Sequence, residues 1–159
     1  MHHVIAAALL LAVGLLVYLI DRPAEQIYFV PDGWPFAIGA GEVFGPVGAH
    51  LPTFIHVVVF TLVSSALLAP WHFRTTSICL LWFSIDSLFE LAQHKAFATQ
   101  IAAVVPGWFQ GIPFLENTSN YFVAGTFDFL DLMSIALGSV SAYLIIHYFR
   151  MRESDNVTK

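Results

Sequence analysis

Apolar runs long enough to cross a bilayer constrain this chain more than anything else in it. A run of about 20 mainly apolar residues reads as a membrane-spanning helix. The sequence supplies such runs at 4–20, 51–69, 76–94 and 126–149. The expected fold is therefore all-α: a polytopic membrane protein, one membrane domain over 1–159, with four transmembrane helices and two long loops on the non-cytoplasmic side. Composition agrees, because 58% hydrophobic and 11% charged residues cannot clothe a water-exposed surface. The first run, VIAAALLLAVGLLVYLI, has no basic residue ahead of it and no small-x-small pattern behind it, so it reads as a retained span rather than a signal peptide. Pro52 is expected in the first turn of the second span, where a missing N–H is tolerated. The interval 96–105, closed by Pro106-Gly107, is too short to cross and reads as an interfacial or re-entrant helix.

Charge narrows the partners. Eleven acids against six Lys and Arg leave no basic stripe for a phosphate backbone, so nucleic acid is excluded as a partner. Membrane lipids are the expected surroundings. The single Cys79 sits in an apolar helix and reads as packing. Arg74, Arg150, Arg152 and Lys159 fall on one side of an even-numbered bundle, with Arg22 and Lys95 on the other, so both termini are expected in the cytoplasm. The outer loops then carry Trp34, Phe36, Trp108, Phe109, Tyr121 and Phe122 as interfacial anchors, among the glycines and prolines of PDGWP and PGWFQGIP.

Ionisable groups inside the spans are costly in hydrocarbon and mark the sequence's candidate site. Three spans bring such groups to a similar depth: His56 in the second, Glu90 in the third and Asp131 in the fourth. Asp86, Glu90 and His94 follow an i, i+4, i+8 edge, Gln93 lies i+3 from Glu90, and Asp128 and Asp131 share a face at i, i+3. His56, Glu90 and Asp131 are the candidate catalytic set, supported by Asp86, Gln93 and Asp128; Asp128 reads equally well as a helix cap. His50, His72 and His147 read as ordinary interfacial residues. No HExxH and no Cys/His spacing for structural zinc is present, so no cofactor is expected and a metal is left unassigned. Ser134, Gly138 and Ala142 form a small-xxx-small row, a packing face that can also join two copies in a homo-oligomer.

With His56 and Phe60 in an HxxxF pattern, Glu90 and Gln93 in ExxQ, and Asp131 followed by Gly138, residues 50–145 resemble the VanZ-like family of small bacterial membrane proteins. The chain departs from the family pattern at Ile135, where relatives commonly carry Asn, and at Val123-Ala124-Gly125, where a basic residue often precedes the family's Asp. The resemblance implies a divergent member with a four-helix fold in the bacterial inner membrane, and no established reaction. Two functions fit the residues. One is an envelope protein that recognises a lipid-linked or amphipathic ligand at an outer-leaflet polar site. The other is an intramembrane hydrolase or transferase that uses His56, Glu90 and Asp131. Whether the chain is an enzyme stays open at this point.

Overall fold

The computed structural model describes residues 2–21, 43–112 and 115–157. The PDGWP motif, Trp34, Phe36, Gly39, Gly41, Arg22 and Lys159 lie outside them. The described secondary structure is helical throughout: α1 (His2–Asp21), α2 (Gly45–Leu67), α3 (Thr75–Ala92), α4 (Ala98–Val104), α5 (Thr118–Ala124) and α6 (Phe129–Val157), with single 3-10 turns at Ala69–Trp71 and Gly107–Phe109. Four of these helices, α1, α2, α3 and α6, are long and apolar enough to cross a membrane. Even the shortest, the 18-residue α3, extends about 27 Å at 1.5 Å per residue, close to the hydrocarbon thickness.

Cross-chain contacts show that the long helices alternate in direction. Along α1 and α2, Asp21 meets Phe44 and Gly14 meets Ile55, an antiparallel pairing. Along α2 and α3, His56 meets Asp86 and Ser64 meets Trp82, again antiparallel. Along α3 and α6, Glu90 meets Asp128 and Cys79 meets Ser139. α2 occupies the centre, touching α1, α3 and α6. Its buried face joins Ile55, Val58, Val59 and Leu62 to Ala7 of α1 and to Ala142 and Ile146 of α6. Outward-facing residues such as Leu9, Leu67, Leu80, Leu88, Leu137 and Leu144 stay exposed, the pattern of a bundle whose solvent is lipid.

α2 departs from the sequence expectation at its start. It begins at Gly45 with Pro46 in the first helical positions, so the tolerated proline is Pro46 and Pro52 lies inside the helix. An interior proline removes one backbone donor and crowds the carbonyl four residues back, that of Gly48. Gly48 also presses on the Asp21 carboxylate, where any Cβ would overlap. That carboxylate accepts hydrogen bonds from the Phe44 N–H at 3.1 and 3.3 Å, placing negative charge at the α2 entrance, the end a helix dipole favours for an anion.

The small-residue row faces inward. A Cβ on Gly138 would lie 2.8 Å from the Phe54 carbonyl oxygen, and Ala142 is wholly buried. The Gly138–Ala142 part of the row offered to a second copy is thus filled by α2 of the same chain.

Candidate functional site

Starting α2 six residues early changes which histidine meets the acids. His50 stands about 8 Å along α2 from its first residue, level with the end of α3 and the entrance of α6. Its Nδ1 lies 3.0 Å from Asp131 Oδ1, and its Nε2 lies 3.9 Å from Asp128 Oδ2. One ligand atom from each of His50, Asp128 and Asp131 falls within 4.8 Å of the others, and all three side chains are half-buried.

Local chain folding positions each group. Asp128 precedes α6 and caps it: its Oδ1 accepts the Leu130 N–H at 2.8 Å, and its carbonyl accepts the Asp131 N–H at 3.1 Å. That leaves its second oxygen to face His50. Asp131, one turn on, shares the α2-facing side of α6 with Ser134 and Gly138. Glu90, 7% exposed near the end of α3, accepts the Asp128 N–H at 2.7 Å and so ties α3 to the α6 entrance. Gln93, also buried, is admitted by Gly125, where a Cβ would lie 2.7 Å from the glutamine's Cδ.

Of the six residues singled out from the sequence, Glu90, Asp128 and Asp131 come together, and Gln93 borders them. His56 and Asp86 do not join. They pair with each other, His56 Nδ1 to Asp86 Oδ2 at 3.1 Å, in the seam between α2 and α3. There the His56 ring packs on Phe60 at 4.3 Å between centroids, and the Trp82 indole N–H donates to Ser64 Oγ at 2.9 Å. His56 lies about 16 Å along α2, deeper than His50 and on a different face.

His50 is the residue the sequence reading missed. Its signal was available: from a helix starting at Pro46, His50, Phe54, Val57 and Thr61 recur at i, i+4, i+7 and i+11, the face that meets α6. His56, Phe60 and Ser64 form the other periodic row, facing α3.

Chemically, two carboxylates face one imidazole with Glu90 behind Asp128, and among the described residues no Lys or Arg pairs with them. Isolated negative charge at membrane depth is costly, so such a set favours a shared proton or a bound cation. One nitrogen and several oxygens suit a hard or borderline divalent ion. Beside His50 opens a cavity of about 310 Å³, walled by Pro46, Val47, Leu51 and Phe54 and ending on Ser134. Its apolar walls match an alkyl chain, and its one imidazole marks where a polar group would sit. The site is bordered by Tyr121 of α5, whose hydroxyl is pushed up to about 12, first by burial and then by the nearby Glu90 carboxylate, with a hydrogen bond to Gln93 acting the other way. Set against known proteins, the chain matches no family model, no curated protein and no solved structure.

Proposed function

We propose that this membrane-embedded protein is an intramembrane hydrolase or transferase acting on an amphipathic, lipid-linked substrate. The carrying observation is the convergence of His50, Asp128 and Asp131 within 4.8 Å. Asp131 orients the His50 imidazole through its 3.0 Å contact, the arrangement that prepares a histidine to take a proton from water or a hydroxyl. Glu90 holds the Asp128 segment in place as a positioning residue. Were a divalent cation present, His50, Asp128 and Asp131 would hold it, and the cation would replace the imidazole as the group that activates water, acidifying it and polarising an ester or phosphoester. The apolar cavity next to His50 supports a substrate with a hydrocarbon tail. In this reading the residues proposed for catalysis are His50 and Asp131, and His56 belongs to the α2–α3 seam.

The same reading makes the chain a divergent member of the VanZ-like family, seated in the bacterial inner membrane. Support comes from its motif residues: His56 packs on Phe60, Glu90 and Gln93 border the α6 entrance, and Gly138 admits the α2 backbone.

The test combines metal content and turnover. Wild-type protein, His50→Ala, Asp131→Asn and His56→Ala are loaded with manganese or zinc, desalted and assayed for metal. They are then incubated in liposomes carrying lipid-linked phosphoesters, and products are followed by mass spectrometry. Wild type is expected to retain metal and form product. Loss of the His50 or Asp131 group is expected to lower turnover by about 10²–10⁴-fold, the usual contribution of a positioned acid or base. His56→Ala is expected to keep most of it. Turnover unchanged in folded His50→Ala protein overturns the assignment.

A further inference from the structure

The opposite end of the bundle holds a second chemistry-bearing cavity, independent of the His50 site. It measures about 240 Å³ and is lined by Arg74, Thr75, Thr76, Tyr143, His147 and Arg150, where α3 begins and α6 nears its end. Several features of this cavity ask for an anion. α3 has no acid in its first turn, and Arg74 at its N-cap gives the helix amides no side-chain acceptor. The N-terminal end of a helix carries partial positive charge, so a guanidinium there adds to a charge that normally attracts a carboxylate or phosphate. Arg150 adds a second guanidinium from α6, and among the described residues neither arginine has a carboxylate partner. Arg152 differs, since it lies over the Tyr148 ring at 5.3 Å.

The second, separate observation is Thr75. It is 8% exposed, and its hydroxyl has no hydrogen-bond partner. Buried hydroxyls are nearly always paired, and this one, like those of Thr61 and Ser87 unpartnered among the described residues, stands at the wall of a cavity that two guanidinium groups line, where an acceptor would complete it. The His147 ring stacks parallel on Tyr143, 3° between planes, which holds an additional donor at the cavity wall. Two planar guanidinium forks, threonine hydroxyls and open helix amides together match the several oxygens of a phosphate group.

The position selects the source of that phosphate. The cavity lies at the ends of two helices long and apolar enough to cross a membrane, where a head-group layer would meet them, and all the arginines among the described residues stand at this end. Basic pockets between helices at this level bind anionic head groups. We propose that Arg74, Thr75, Thr76, Tyr143, His147 and Arg150 form a binding site for the phosphate group of an anionic membrane phospholipid.

The full chain is placed in phosphatidylcholine nanodiscs containing phosphatidylglycerol, released gently and examined by native mass spectrometry. Wild type is expected to retain phosphatidylglycerol in preference to phosphatidylcholine. Arg74→Gln/Arg150→Gln is expected to lose about thirty-fold in retention, the effect of two basic residues facing an anionic head group. Thr75→Val, which keeps every charge and nearly the same shape, is expected to lose about five-fold, as for one hydrogen bond. It is also expected to melt no lower than wild type in lipid-free detergent, which separates ligand loss from misfolding. Equal retention by wild type and the double variant overturns the proposal. So does wild-type retention in Thr75→Val, which would reduce the site to diffuse surface charge. Inorganic phosphate that binds the lipid-free protein and displaces phosphatidylglycerol would overturn the lipid assignment in favour of a free-phosphate site.

Discussion

His50 and His56 occupy one helix, and their chemistry diverges because a separation of six residues turns the side chain about 240° around the axis. His50 meets two carboxylates at the α6 entrance, whereas His56 meets one in the α3 seam. Residue identity therefore decides less than helical phase. Tyr121, which borders the first cluster, carries a prediction of its own. Its folded value of about 12 stands above the ordinary 10, so the fold favours the protonated phenol. Below pH 10 this makes no difference to stability, and as pH rises from about 10 through about 12 stability is lost, because the unfolded chain releases its proton first. Tyr121 keeps 41% of its surface open, so a shallow alkaline drift is expected rather than a cooperative transition. Ultraviolet tyrosinate titration should show a late-ionising component that Tyr121→Phe removes. The acids of the site were legible in the sequence because carboxylates stand out in hydrocarbon runs. His50 was not, because it preceded the expected helix start and so read as an ordinary interfacial residue.

Element packing rests on the close passage of α6 across α2. Gly138 meets the Phe54 carbonyl oxygen and the Val57 side chain, and the nearer contact is backbone, which cannot rotate away. Gly138→Val should therefore destabilise the bundle by about 1–3 kcal/mol or more through overpacking. Removing the Ser139 hydroxyl, which donates to the Cys79 carbonyl at 3.3 Å, should cost only about 0.6 kcal/mol, typical of a hydrogen bond between membrane helices. Thermal melting of both variants in the same detergent checks the order, and a Gly138→Val melt at or above that of Ser139→Ala contradicts the packing. The apolar runs of the four spans were readable because length and hydropathy alone specify them. Their ends were less so. Pro46 and Pro52 both fit a first helical turn by sequence, and the choice between them depended on the Asp21 carboxylate waiting at the α2 entrance, a tertiary contact no local pattern shows. The small-xxx-small row was readable as a close-approach surface, but its partner was settled by α2 lying at the centre of the bundle.

At the scale of the whole molecule, the alternation of the long helices puts the described arginines and the acids of the site at opposite ends. One end gathers Arg74, Arg150 and Arg152, and the other gathers Glu90, Asp128 and Asp131. Basic residues are retained on the cytoplasmic side, so the acid end with its apolar cavity is expected to open to the outer leaflet, where a lipid-linked envelope substrate would be met. Cysteine labelling tests this directly. The native Cys79 is 5% exposed and serves as a silent background once replaced by Ala, while Trp71 at 68% and Trp108 at 65% exposure give accessible reporters on either side of α3. In intact cells a membrane-impermeant maleimide should label Trp108→Cys and spare Trp71→Cys, and opened vesicles should label both. Labelling of Trp71→Cys alone would invert the protein while preserving the bundle, moving the proposed catalytic site to the cytoplasmic leaflet. Labelling of both from one side would break the fold itself, because α3 is the only long helix between the two positions and must then fail to cross.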